Sequence, residues 1–142
     1  MGATVLSRRR LHVRRQVTVV EEYLRCLGAH DWDGLARTIT DDGLHRDGPF
    51  CDVVEGKQAY VSFLEKIVDS LQNYVLKVDR LSPAGARLVF VELSETFDVD
   101  GVSTEYPECL TFELADDGLI RAVSVFMKWP GAQAPVEGGS AG

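Results

Sequence analysis

The stretch Tyr106-Pro107-Glu108-Cys109-Leu110-Thr111-Phe112-Glu113-Leu114 decides how this chain folds. Its large apolar side chains occur at every second position, which is the period of a strand that turns one face to a core. Glu108 interrupts this apolar set, although burying an unpaired carboxylate is costly or forces the group to keep its proton. We expect Glu108 to lie at the open end of the sheet, to pair with an arginine such as Arg121, or to serve chemistry.

Three other segments share the two-residue period of this strand. The pattern predicts strands over residues 74–81, 86–99, 102–114 and 119–129. The short turn sequences at 82–85, 100–101 and 116–118 join antiparallel neighbours. These segments therefore predict an antiparallel meander.

Helical periodicity precedes the sheet. It predicts a first helix from Val17 to Gly28, a short second helix over 31–39 capped by Asp31, and a third helix over 57–71. A short strand at 44–47 would place His45 and Asp47 on the same side, before the turn at Gly48. Three helices on one face of a curved sheet give an α+β fold with a pocket on the concave face.

Composition limits the chain to one soluble domain. Its 142 residues include 45% hydrophobic and 26% charged residues, and the net charge is -7. Residues 1–16 hold five arginines and no acid, so residues 17–142 carry -12. Such an acidic body disfavours nucleic acid as a partner. No run approaches membrane-spanning length, which predicts a cytoplasmic protein without a membrane partner.

Both termini differ from the body in composition. We expect residues 1–16 to form a basic disordered leader, with a nucleic-acid arm or a targeting segment as alternatives. Residues 131–142 are rich in glycine, alanine and proline and predict a disordered tail, which leaves 17–130 as the domain. Three scattered cysteines and three scattered histidines show no ligand spacing, so we expect reduced thiols, no metal and no cofactor.

Several local sequences resemble those of a known superfamily. They are Val-Val-Glu-Glu-Tyr-Leu at 19–24, Asp-Trp-Asp-Gly-Leu at 31–35, Asp-Asp-Gly-Leu-His-Arg-Asp at 41–47, and Gly-Leu-Ile at 118–120 with Phe126. Over about residues 17–130 the chain resembles the nuclear transport factor two-like superfamily, and within it the SnoaL-like and ketosteroid-isomerase-like proteins. The resemblance implies a cone-shaped fold of three N-terminal helices on a curved, mainly antiparallel sheet that encloses a pocket.

The resemblance also implies site residues. In ketosteroid isomerases a tyrosine and a protonated aspartic acid donate hydrogen bonds to an oxyanion, while an aspartate moves the proton. Alignment places Tyr23 at the tyrosine position and Asp47 at the base position, with His45 available to orient Asp47. The acid position falls on Leu110. Glu108 lies about 6 to 7 Å away on the same strand face and is predicted to replace that acid.

These residues predict an acid/base enzyme without cofactor, of isomerase, cyclase or dehydratase type, acting on a hydrophobic carbonyl-, enol- or epoxide-bearing substrate. The predicted substrate-binding residues are Tyr106, Leu110, Phe112, Met127 and Trp129. Alternatives remain open at this stage. Tyr23 can be a core tyrosine, Asp47 a turn residue and His45 a structural polar residue, in a non-catalytic ligand-binding or dimerisation domain. Apolar residues on both faces of 86–99 predict a homodimer, as the resemblance does.

Overall fold

The computed structural model describes residues 5–131, apart from the side chains of residues 5–7, 9, 11 and 12. The helices are α1 (Val5–Ala29), α2 (Trp32–Ala36) and α3 (Lys57–Ser70). The strands are β1 (His45–Asp47), β2 (Val53–Glu55), β3 (Gln72–Ala84), β4 (Leu88–Val99), β5 (Val102–Leu114) and β6 (Ile120–Met127).

The six strands form one sheet in the order β2-β1-β6-β5-β4-β3. Neighbouring strands are antiparallel except β1 and β6, which run parallel. The β4–β5 hairpin closes through Asp100 and Gly101, whose φ values of 51° and 79° are both left-handed. Two left-handed residues in a two-residue loop make the turn whose twist matches that of the strands. The predicted meander is therefore present as β3 to β6.

The inner face of the sheet carries the core. Alternate residues of β5 from Tyr106 to Leu114 are buried, as the two-residue period requires. Val89, Val91 and Leu93 of β4 face the same side and pack against buried residues of α1 such as Val20. The α+β fold with three helices on a curved sheet is confirmed.

The structure differs from the prediction at the N-terminus. Helix α1 begins at Val5 rather than near Val17, so residues 5–16 are helical where a disordered leader was predicted. Gln16 is 1% exposed, and its Nε2 donates to the carbonyl of Gly85 at 3.3 Å, which ties this part of the helix to the β3–β4 turn. Residues 1–4 of the predicted leader, and the predicted tail from residue 132, lie outside the described residues.

Two smaller differences concern the middle of the chain. Strand β2 was not predicted, and it pairs antiparallel with β1. The second helix ends at Ala36 rather than near residue 39. Beyond it, the backbone N–H of Thr40 donates to the carbonyl of Ile120, and the backbone N–H of Ile120 donates to the carbonyl of Thr38. Within the described part of the chain, none of the helices has the length and apolar character needed to cross a membrane.

Candidate active site

A cavity of about 320 Å³ lies between the helices and the inner face of the sheet. Side chains of α1 and α3 form one wall, and those of β4, β5 and β6 form the other. The segment between β1 and β2 lies at its rim together with Trp129. Most lining side chains are apolar; the charged ones are Arg46, Asp52, Glu95 and Glu108.

Glu108 lies on β5 within this cavity and is 6% exposed. Neither carboxyl oxygen has a hydrogen-bond partner among the described residues. Burial, followed by the neighbouring carboxylate of Glu95, raises the pKa of Glu108 to about 10. The predicted pairing with Arg121 is wrong, because Arg121 contacts Glu113. Glu108 is therefore a protonated acid at neutral pH that can donate a hydrogen bond.

Glu95 lines the same cavity from β4. It pairs with Tyr106, two residues from Glu108 along β5, so the two glutamates are diagonal neighbours on the inner face. Diagonal neighbours have Cα atoms about 7 to 8 Å apart, a distance that long side chains can bridge. Two carboxyl groups therefore occupy neighbouring positions in the cavity.

Two tyrosine hydroxyls meet at the helical wall. Tyr23 of α1 and Tyr60 of α3 are each 1% exposed, and their hydroxyl groups are hydrogen-bonded to each other. Burial raises the pKa of Tyr60 to about 12 and that of Tyr23 well above its ordinary value. Both hydroxyls therefore keep their protons, and the one that accepts in this pair has its own proton left to donate.

Arg46 faces the cavity from β1. Strand alternation turns Arg46 inward and its two neighbours outward, so that its side chain is 10% exposed. Its Nη1 donates to Oδ2 of Asp52 at 2.8 Å, and its guanidinium carbon lies 4.6 Å from the centre of the Phe63 ring. Gly48 leaves room for this pair, because a Cβ there would lie 2.6 Å from Nη1 of Arg46.

Asp47 and His45 do not line the cavity, contrary to the prediction. They do share one side of β1, as expected, but it is the side opposite Arg46. Their side chains are 50% and 42% exposed, and Nε2 of His45 lies 3.1 Å from Oδ1 of Asp47. The predicted arrangement of Asp47 opposite Tyr23 and Glu108 is therefore wrong, because β1 meets the sheet in the other orientation.

The predicted substrate-binding residues divide into two groups. Leu110, Met127 and Trp129 line the cavity. Phe112 does not, because it is fully buried below the cavity with its ring 5.0 Å from that of Tyr23. Tyr106 does not line it either, but it contacts Trp129 edge-on at 5.5 Å. Tyr106 thus supports the rim rather than the cavity wall.

Three charged residues of the cavity, Glu95, Arg46 and Asp52, were not predicted, and the first two had a signal in the sequence. Glu95 continues the alternating series Val89, Val91, Leu93, so it interrupts an apolar stripe just as Glu108 does. Arg46 stands two residues after Leu44, and residues two apart on a strand project to the same face. Since Leu44 is 1% exposed, Arg46 also faces inward.

Three helices packed on a curved six-stranded sheet form the nuclear transport factor two-like class of fold. The sequence profile of the SnoaL-like domain matches residues 20–123, and the chain belongs to that family. No curated protein is significantly similar in sequence.

Solved structures with this fold include several enzyme types. A putative ketosteroid isomerase from Kribbella flavida superposes with a TM-score of 0.71 at 19% identity, over 87% of this chain and 84% of that one. The epoxide hydrolase/cyclase-like enzyme SalBIII, from pyran ring formation in the polyether salinomycin, gives 0.70 at 21% identity, over 81% and 92%. Rv0760c from Mycobacterium tuberculosis, in complex with estradiol-17beta-hemisuccinate, gives 0.67 at 18% identity, over 81% and 98%. At these identities the likeness concerns the fold.

Proposed function

We propose that this protein is a cofactor-independent acid/base enzyme that isomerises, cyclises or dehydrates a hydrophobic substrate bearing a carbonyl, enol or epoxide. The observation that carries the proposal is Glu108, a buried acid without hydrogen-bond partners beside a second carboxyl group. A structural role would have supplied partners for such a costly group.

The roles follow from the protonation states. Glu95, as a carboxylate, removes a proton from carbon beside the substrate carbonyl. Negative charge then develops on the carbonyl oxygen, where the Glu108 carboxyl group donates a hydrogen bond. The Tyr23 and Tyr60 hydroxyl pair supplies a further donor at the opposite wall. The proton held by Glu95 returns to another atom of the substrate, so that no outside oxidant or reductant is needed.

The proposal keeps Glu108 and Tyr23 from the sequence-based prediction and replaces Asp47 by Glu95 as the base. Asp47 lies on the outward side of β1, whereas Glu95 lines the cavity that holds Glu108. A base must come within hydrogen-bond reach of the proton that it removes. The steroid ligand of Rv0760c supports an apolar substrate body for a cavity of this class.

Hydrogen–deuterium exchange at carbon tests the proposal without knowledge of the natural substrate. The probe is 2-tetralone, an apolar ketone, followed by NMR in heavy water near neutral pH. We expect the protein to accelerate loss of the hydrogens next to the carbonyl. Glu95→Gln should reduce this acceleration by about 100-fold or more, and Glu108→Gln by about 10-fold or more.

Asp47→Asn is the matched control for the base. Its rate should stay within about threefold of the unaltered protein, because its carboxylate lies outside the cavity. Full activity of Glu95→Gln, or loss of activity in Asp47→Asn, would contradict the assignment of the base. An exchange rate no higher than that in buffer alone would contradict the proposed enzyme activity. It would favour the alternative, a ligand-binding domain whose cavity holds an apolar molecule.

We also propose that the protein is a homodimer through the outward face of the sheet. Phe90 and Phe126 lie on this face and are 39% and 63% exposed, in a molecule whose helices cover the other face. Burying large apolar side chains between two copies would stabilise their association. Sedimentation showing only monomer at micromolar concentration would contradict this.

A further inference from the structure

Arg46 has more hydrogen-bond donors than partners. A guanidinium group carries five N–H donors and cannot lose its charge in a protein. Among the described residues, only its Nη1 is engaged, by Oδ2 of Asp52. The other oxygen of Asp52 accepts from the backbone N–H of Phe50 at 3.2 Å. The contact between Arg46 and Asp52 is therefore single, and Nε and Nη2 of Arg46 remain available.

The orientation of Arg46 is fixed by its neighbours. The ring of Phe63 covers one face of the guanidinium plane, and Asp52 holds one end. With 10% of its side chain exposed, Arg46 is largely shielded from bulk solvent, and its unpaired donors face the cavity. A positioned cation with unused donors that lines a cavity is suited to bind an acceptor from the ligand.

The groups around Arg46 are also donors. Its charge acts on Tyr60, where it opposes the effect of burial on the pKa, and on Glu108 in the same way. Both groups nevertheless keep their protons at neutral pH. The Arg46 guanidinium, the Glu108 carboxyl group and the tyrosine pair therefore supply the donors of this cavity, whose lining also includes the carboxyl groups of Asp52 and Glu95. Asp52, already bonded through both oxygens, is the acceptor that Arg46 contacts there.

We infer that Arg46 anchors the ligand, and that the ligand is an organic acid with a carboxylate joined to an apolar body. A carboxylate offers two oxygens that match two adjacent guanidinium N–H groups. Arg46 is the single cationic side chain among the described residues that line this cavity, and Asp52 and Glu95 of the same lining are acidic, so a monoanion fits this lining better than a phosphate dianion. Side chains such as Leu64, Ile67 and Val125 would contact the apolar body.

This inference rests on the proposed function, since it names the class of substrate for the same cavity. A carboxylate held by Arg46 would place a neighbouring carbonyl group near Glu108, whose carboxyl group donates to it. Arg46 is then a positioning residue, because it holds the ligand without exchanging a proton with it.

Calorimetric binding of a matched pair of probes tests the inference. The probes are 2-naphthoate and 2-naphthamide, which share the apolar ring system and differ in charge. The unaltered protein should bind 2-naphthoate at least about tenfold more tightly near neutral pH. Arg46→Met should remove this preference while it keeps affinity for the amide. The matched control is Arg121→Met on the outward face, which should keep the preference.

Asp52→Asn provides a variant with the opposite expected effect. It removes the charge that competes for Arg46, so affinity for 2-naphthoate should rise about threefold or more. Affinity for the amide should stay the same. A pair that serves only to stabilise the fold would leave the ratio of the two affinities unchanged in both variants. If Arg46→Met fails to fold, the affinities of the unaltered protein for 2-naphthoate and 2-naphthamide still test the inference.

The overturning results are distinct from those for the proposed function. Equal binding of the two probes, preference for the amide, or no binding of either below about 1 mM would overturn the carboxylate anchor. The binding experiment needs no turnover, so Glu95→Gln should keep the preference for 2-naphthoate even though it loses proton exchange. If the protein accelerates hydrogen–deuterium exchange on 2-tetralone but binds 2-naphthoate no more tightly than 2-naphthamide, the proposed enzyme activity is retained and the carboxylate anchor is contradicted.

Discussion

Two groups of acidic residues on strands of the same sheet have opposite surroundings. On the inner face, Glu95 and Glu108 line the cavity, and Glu108 has no hydrogen-bond partner among the described residues. On the outward side of β1, His45 lies between two carboxylates, with Nε2 3.1 Å from Asp47 and Nδ1 3.2 Å from Glu55. Glu108 is buried without a hydrogen-bond partner and Glu95 beside it is half-buried, whereas the acids of the outward group are exposed and paired with His45.

The comparison separates two explanations for charged residues in strands. Hydrogen bonds that His45 donates to Asp47 and then to Glu55 raise the pKa of His45, so the charged groups on the outward side pair with one another as an exposed cluster. Burial is the main cause of the raised pKa of Glu108, the neighbouring Glu95 side chain adds to it, and the charge of Arg46 offsets it only in part. A cost that the fold does not recover is the mark of a functional site.

The largest expected effect is that Glu108→Gln stabilises the protein as pH rises. The pKa of Glu108 is raised in the folded state, so folding takes up a proton at any pH between the ordinary value and about 10. Stability of the unaltered protein therefore falls with rising pH in that range, whereas glutamine has no proton to take up. The gap in unfolding free energy should widen by about 1.4 kcal/mol per pH unit between about pH 5 and pH 8.

Urea unfolding of both proteins at several pH values measures this gap. Glu113→Gln is the matched control, since Glu113 lies on the same strand, faces outward and contacts Arg121. It should not reproduce the widening. Parallel curves for Glu108→Gln and the unaltered protein would mean that Glu108 is no different from the acids of the outward group.

The inner face was largely predictable from sequence because β5 is long. Thirteen residues give the two-residue period enough repeats to fix which side is buried, and the alternation identified Glu108 as an acid on that side. The same rule applied to β4 identifies Glu95. It was missed because residues 86–99 have apolar side chains on both faces, so a carboxylate there did not stand out.

The outward group could not be predicted because β1 is short. The spacing of Leu44 and Arg46 gives a single repeat of the alternation, which is a weak signal, and pairing with β6, over seventy residues later, decides which side faces the core. Arg46 and Asp52 meet only because the loop at Gly48 folds back and β2 pairs with β1. The resemblance of residues 41–47 to ketosteroid isomerases assigned Asp47 to the base position by sequence alignment. An alignment does not specify to which side of β1 the Asp47 side chain projects.

A smaller effect is expected from Glu95→Gln on its neighbour. Removing the Glu95 charge should lower the pKa of Glu108 by about 1 to 3, but not to its ordinary value, because burial is the larger cause. Carbon-13 NMR titration of labelled glutamate side chains measures this change. An unchanged pKa would show that the two glutamates do not interact and would remove the acid pair from the proposed mechanism.

The smallest effect belongs to the outward group. Asp47→Asn should lower the pKa of His45, because its hydrogen bond to Asp47 is the main cause of the raised value. A raised histidine pKa stabilises the folded state at acidic pH, and this contribution disappears as pH rises through the folded-state value. Any loss of stability in Asp47→Asn should therefore occur on the acidic side and vanish above it, whereas the gain in Glu108→Gln is small on the acidic side and grows above it. NMR titration of the His45 ring together with urea unfolding measures both effects. A His45 pKa unmoved by the substitution, or a stability change as large as that of Glu108→Gln, would contradict the distinction between a compensated surface cluster and an uncompensated site.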